Sequence, residues 1–144
     1  MRVLVCGSRT WGKPVWNARL RARVYTDKPA VEILQSLVWG AFAADLNTES
    51  DDVLIHGAAP GADELASWFA DDSPVIEPLP FPADWDRYGK SAGYIRNQQM
   101  LDEGKPDLVI AFVDKPLAES RGTKNMVHLA KVAGVKTVVV ECSK

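Results

Sequence analysis

Arg2-Val3-Leu4-Val5-Cys6-Gly7-Ser8-Arg9 is the stretch whose reading decides the fold. Arg2–Cys6 is a short run that is apolar after Arg2, with β-branched residues and no polar alternation. That composition predicts a strand buried on both faces, as in a parallel sheet. Gly7 ends the run, at a place where a backbone without Cβ turns tightly and comes close to a ligand. Working outward, the same grammar recurs. Val53–His56 is an apolar run cut off by Gly57, Val75–Leu79 is a weaker one between prolines, Asp107–Val113 is strongly apolar, and Thr137–Cys142 is the last. Between them lie segments of helical period. Ala30–Leu46 has apolar residues at 31, 33, 34, 37, 38, 41, 42 and 46. Gly61–Ala70, Ala92–Glu103 (stopping at Gly104) and Gly122–Ala133 (ending at Gly134) follow. Asn47–Asp52 is a polar break, and Pro80–Gly89 and Asp114–Arg121 read as loops. Strand and helix alternate about five times, which predicts an α/β fold: a Rossmann-like three-layer sandwich on a mostly parallel sheet of about five strands, joined by right-handed crossovers.

The 144 residues suit a single domain over 1–144, and 47% hydrophobic with 25% charged residues supply an ordinary core. A net charge of −2 excludes a global basic field. Cys6 and Cys142 give neither a disulfide framework nor a CxxC metal spacing, and both read as buried thiols of a reducing compartment. The first residues run directly into a strand, and no apolar stretch approaches the roughly 20 residues of a membrane span. The expectation is a soluble, cytoplasmic protein with no membrane partner.

Ligands of open α/β sheets bind at the carboxyl ends of the strands, and this sequence places unusual residues there. After the first strand come Gly7, Ser8 and Arg9: a tight turn, a hydroxyl and a bidentate phosphate donor. After the second come His56, Gly57, Gly61 and Asp63, where small residues leave helix N-terminal N–H groups free for an anion. Asp63 suits either ligand contact or the helix dipole, and His56 suits either a general base or a turn cap. After the strongest strand come Ser120, Arg121, Gly122 and Thr123, which offer N–H groups and hydroxyls to a phosphate. The helix Ala92–Glu103 adds Arg96 and Asn97, and the loop before it adds Asp84, Trp85 and Lys90. Trp85 suits base stacking or core packing. Arg9, Lys13, Lys90, Arg96, Arg121 and Lys124 outnumber the carboxylates Asp63, Asp84, Asp86 and Glu119 in these segments, which favours an anionic small ligand. Residues 12–30 have no clear pattern. Arg19–Val24 alternates with period two, as an exposed strand does, and is also compatible with a helix; a lid or an oligomer contact fits either.

The segments 2–11, 56–70, 81–101, 106–112 and 120–123 together resemble the YspA-like branch of the SLOG superfamily, which also holds DprA-type proteins and LOG-type phosphoribohydrolases. The resemblance implies a Rossmann-like nucleotide-binding fold and, by analogy, a homodimer. LOG-type enzymes carry an Arg-Lys-x-x-Met helix and a Pro-Gly-Gly-x-Gly-Thr-x-x-Glu loop. Arg96-Asn97-Gln98-Gln99-Met100 and Ser120-Arg121-Gly122-Thr123-Lys124-Asn125-Met126 are similar to these. Arg96, Gly122 and Thr123 carry over, whereas the catalytic Glu is replaced by Met126, a thioether with no acid–base chemistry.

Three functions fit these residues. A sensor or sequestering module would hold a phosphate-bearing nucleotide or nucleotide derivative at Gly7, Ser8, Arg9, His56, Gly57, Gly61, Lys90, Asn97, Ser120, Gly122 and Thr123. A phosphoribohydrolase-like enzyme would add catalytic Arg96 with Asp63 or Asp84 in place of the missing Glu. Single-stranded DNA binding would use Arg19, Arg21 and Arg23, but the acidic chain and the short run count against a nucleic-acid partner. No metal spacing is evident, and no cofactor is required by the sequence. Mg²⁺ fits only as the companion of a phosphorylated ligand.

Overall fold

The computed structural model of the chain describes residues 1–45 and 51–142. In chain order its elements are β1 (Arg2–Gly7), β2 (Pro14–Asn17), β3 (Ala22–Tyr25), α1 (Lys28–Ala43), β4 (Asp52–His56), α2 (Ala62–Asp71), β5 (Ile76–Pro80), α3 (Trp85–Tyr88), α4 (Ala92–Asp102), β6 (Leu108–Val113), α5 (Arg121–Val132) and β7 (Lys136–Glu141). Five strands form one sheet in the order β5-β4-β1-β6-β7, and every pairing in it is parallel. This is the α/β three-layer arrangement that the alternation predicts. The chain moves from β1 outward to β4 and β5, then returns to the other side of β1 at β6. The strand order therefore reverses between β1 and β6, which is where such sheets hold ligands.

Alternation along each strand divides the core in two. Val3, Val5, Leu54, Ile110 and Phe112 meet α1 and α2 through Leu34, Val38, Phe42, Leu65 and Ala66. Leu4, Cys6, Ile55, Val109 and Ala111 meet α4 and α5 through Met100, Leu101, Met126 and Val127. Each fully buried Val, Leu, Ile, Phe or Met side chain contributes about 1.5–3 kcal/mol relative to exposure. The edge strand β5 carries Pro78 and Pro80, as an edge tolerates.

Helix α1 starts two residues before the position that its apolar period marks. Asp27 caps it by accepting from the Ala30 N–H at 3.3 Å, and a proline sits in its first turn. The expected end of that helix at Leu46 and most of the polar break after it lie outside the described residues. Residues 14–25 form an antiparallel hairpin, so the alternating reading of Arg19–Val24 fits only its second half: Ala22–Tyr25 is strand and residues 18–21 are the turn. The loop expected over Pro80–Gly89 holds the one-turn helix α3. Cys6 is buried, but Cys142 is only half-buried, which corrects the reading of both cysteines as core thiols. No helix among the described residues is long and apolar enough to cross a membrane.

Candidate functional site

A cavity of about 490 Å³ opens at the carboxyl end of the sheet, on the α4/α5 face. Cys6 and Gly7 reach it from β1, Asp63 from α2, Arg96, Asn97 and Met100 from α4, and Ser120, Gly122, Thr123 and Met126 from the start of α5. Arg9, Trp85 and Lys90 stand at it from loops and α3. The reversal of strand order between β1 and β6 creates this space, because no crossover covers the gap there.

Two glycines fix the backbone around the opening. A Cβ on Gly7 would collide with the carbonyl oxygen of Phe112 on the neighbouring strand. Gly61 has φ +81°, and a Cβ there would strike the Ser8 carbonyl oxygen. Ser8 is the junction between them. Its N–H donates to the Phe112 carbonyl at 2.8 Å, and its Oγ accepts the Asp114 N–H at 3.1 Å. Ser8 is thus a brace between β1 and β6 and does not line the cavity.

The loop 57–61 is closed by Asp63, whose Oδ2 accepts the N–H groups of Gly57 at 3.1 Å and Ala59 at 3.3 Å. Arg96 packs over the same loop and donates to the Gly57 carbonyl at 2.6 Å. A Cβ on Gly57 would collide with that guanidinium, so the glycine makes room for Arg96. Asn97 accepts from Arg96 Nε at 3.1 Å and donates to Gly122 O at 3.1 Å and Asn125 Oδ1 at 3.0 Å. Its polar atoms are spent on tying α4 to α5.

The electrostatics follow from burial. Asp63 is 6% exposed, and desolvation pushes its carboxyl up to about 6 against the pull of Arg96, the two N–H donors and Arg9. Desolvation also lowers the pKa of Arg96, with Asp63 opposing. Five cations line the cavity: Arg9, Lys90, Arg96, Lys115 and Arg121. The carboxylates there are Asp63 and Glu119. None of the five cations makes an ion pair among the described residues; the pairs there belong to Met1 and Arg23. At the start of α5, Ser120 is 8% exposed, and its Oγ has no hydrogen-bond partner. It occupies the N-cap position without capping the helix, so a buried hydroxyl without a partner and the first, unbonded N–H groups of a twelve-residue helix lie in the wall of the cavity.

The structure gathers Gly7, Arg9, Asp63, Lys90, Arg96, Asn97, Ser120, Gly122 and Thr123 around this space. It leaves out Ser8, His56, Gly57, Gly61 and Asp84. His56 is buried, accepts the Ala58 N–H on Nδ1 at 3.1 Å, and has its pKa lowered by desolvation; its hydrogen bond is that of a turn cap. Asp84 caps α3 by accepting the Arg87 N–H at 3.1 Å, and lies outside the cavity lining. Sequence reasoning missed Lys115 and Tyr94. Lys115 stands two residues past β6, which is a legible signal. Tyr94 sits two residues before Arg96 on α4, and nothing in the pattern separates it from a solvated ring.

This geometry defines a Rossmann-like α/β domain with a cationic cavity at its strand-order reversal. The chain belongs to the YspA, cpYpsA-related SLOG family, whose pattern matches residues 1–88. A curated relative, the "Gene 61 protein" of Mycobacterium phage D29, is 31% identical over 142 residues, which is 95% of this chain and 94% of the relative. That likeness runs through α4 and α5, beyond the residues the family pattern covers. No solved structure matches the chain. Membership in this family suggests a nucleotide-related function.

Proposed function

We propose that the protein binds a phosphate-bearing nucleotide or nucleotide derivative in the cavity, as a sensor or sequestering module. One observation carries the reading: unpaired cations converge on a space where the α5 N-terminus and the orphaned Ser120 hydroxyl lack partners. A phosphate satisfies all three, since helix N-terminal N–H groups, a hydroxyl and guanidinium groups are its natural donors. Phosphate here contacts Ser120, Gly122 and Thr123, with Arg121 and Lys115 alongside. Mg²⁺, where present, enters with those phosphates; no group of three metal-ligating side chains occurs among the described residues. The test is native mass spectrometry with AMP, ATP, NAD, ADP-ribose and cyclic dinucleotides, following the small molecules as well as the protein. An intact nucleotide retained by the protein and released by Ser120→Ala with Thr123→Val supports the reading. No retention across the panel sinks it.

A second reading is favoured by Asp63, a buried carboxyl raised to about 6 beside Arg96. It could stabilise positive charge on a ribose while water replaces the base, giving free base and a ribose phosphate. Met126, fully buried at the cavity, supplies no acid or base to this step. Product formation lost in Asp63→Asn but kept in Asp84→Asn would establish the enzyme. Self-association is a further part of the proposal. Val15, Trp16 and Leu20 on the hairpin are more than half exposed, an apolar surface that a second copy would cover. Light scattering that finds a monomer at every concentration removes it.

A further inference from the structure

We infer that Trp85, with Tyr94 on the same cavity lining, forms a stacking platform for the planar base of the ligand, which makes the ligand a purine nucleotide held with little discrimination between purines. This inference rests on the nucleotide reading above and adds how the base is held. Helix α3 buries none of its residues, so it contributes nothing to the core. Asp84 caps its single turn, and the product of that turn is an indole held 48% exposed at the cavity. Leaving so large an apolar ring in water is unfavourable unless something covers it.

The ring is braced for the purpose. Its Cη2 edge lies against the first turn of α4 at Gly93, where even an added Cβ would stand 3.5 Å away, at ordinary contact distance. The Arg9 guanidinium already lies over the indole, with Cζ 5.5 Å from the ring centroid. One face of the indole thus already carries a planar cation, and the same Arg9 lines the cavity without a salt bridge among the described residues. Tyr94, 47% exposed, adds a second ring to the lining.

The same groups explain why base identity is read weakly. The side chain in contact with the indole is the cation Arg9. The amide that could read a base edge, Asn97, is spent on Arg96, Gly122 and Asn125. Stacking tolerates any base because every base has a π-face, and larger purine faces stack better than pyrimidines.

Calorimetry with ADP, GDP, UDP and base-free pyrophosphate tests this on wild type, Trp85→Ala and Trp85→Phe. The expected result has ADP and GDP within about threefold of each other, with UDP weaker. Trp85→Ala weakens ADP about tenfold to a hundredfold and leaves pyrophosphate unchanged, and Trp85→Phe restores most of the loss. Equal weakening of ADP and pyrophosphate, or no weakening of ADP, overturns the platform while leaving the phosphate site intact. Wild type that binds neither ADP nor pyrophosphate overturns the nucleotide reading itself, and the platform with it.

Discussion

The hairpin of β2 and β3 and the cavity beyond β1 and β6 both carry arginines, and they treat them in opposite ways. On the hairpin, Arg23 makes two hydrogen bonds to Glu64 at 2.9 and 2.8 Å. Tyr25 donates to the same carboxylate at 2.8 Å and accepts the Gly61 N–H at 2.9 Å. Hydrogen bonding to Glu64 raises the pKa of Arg23. Glu64 is held below its usual range by Arg23 and Tyr25, against desolvation. At the cavity, Arg96 is held by Gly57, Asn97 and the field of Asp63, whereas Arg9, Lys115 and Arg121 line the space with no salt bridge among the described residues. A cation whose partner lies within the fold holds the structure together. Cations that converge without one are placed for something that arrives from outside.

The two regions meet at Gly61, so the largest effect is expected there. Gly61→Ala puts a Cβ into the Ser8 carbonyl from a backbone at φ +81°. It should cost about 3 kcal/mol or more in denaturant unfolding. A loss under 1 kcal/mol would mean that the loop 57–61 gives way easily and that the cavity wall is soft.

Asp63 comes next. Its folded pKa, about 6, lies above the ordinary carboxylate value. The native state therefore holds a proton that the unfolded chain releases. The stabilising contribution is complete below about pH 4 and is lost as pH rises through 6. Over that window the loss is on the order of 3 kcal/mol, and Asp63→Asn should flatten it. Stability that instead rises from pH 4 to 7 through Asp63 would show a carboxylate held ionised by Arg96.

Tyr25→Phe leaves the Gly61 N–H without its acceptor and should cost about 1–2 kcal/mol. A double-mutant cycle on Arg23 and Glu64 should give a coupling of about 0.5–1 kcal/mol, because Arg23 is about a third exposed and solvent screens the pair. Ser120→Ala should change stability by less than about 0.5 kcal/mol, since its Oγ makes no bond. A large loss there would turn the hydroxyl from a ligand donor into a structural one.

The sequence made some of this legible and hid the rest for physical reasons. The central strands β1, β4 and β6 showed because strands buried on both faces must be largely apolar, as Leu108–Val113 is throughout. Gly7, Arg9, Gly122 and Thr123 stood out because they follow strands. Asp84 and Asp63 look alike in a sequence, yet one caps an exposed turn and the other closes a buried loop. Asp84 stands before its helix as the N-cap, whereas Asp63 lies in the first turn of α2 and folds back on the loop before it, a tertiary property. The hairpin was hard to read because only four residues of each strand pair, too few for a period to show. Its hold on Glu64 and Gly61 spans 36 to 41 residues, and no local pattern reports such a contact.

The central claim, that the unpaired cations make a nucleotide site, is tested most directly by calorimetric titration of ADP. Three proteins are compared: wild type, Lys115→Ala with Arg121→Ala, and Arg19→Ala with Arg21→Ala, whose residues lie in the hairpin turn. The account predicts binding to wild type, a loss of about tenfold or more in the cavity variant, and no change in the turn variant. ADP that fails to bind wild type, or that binds all three proteins alike, would contradict it.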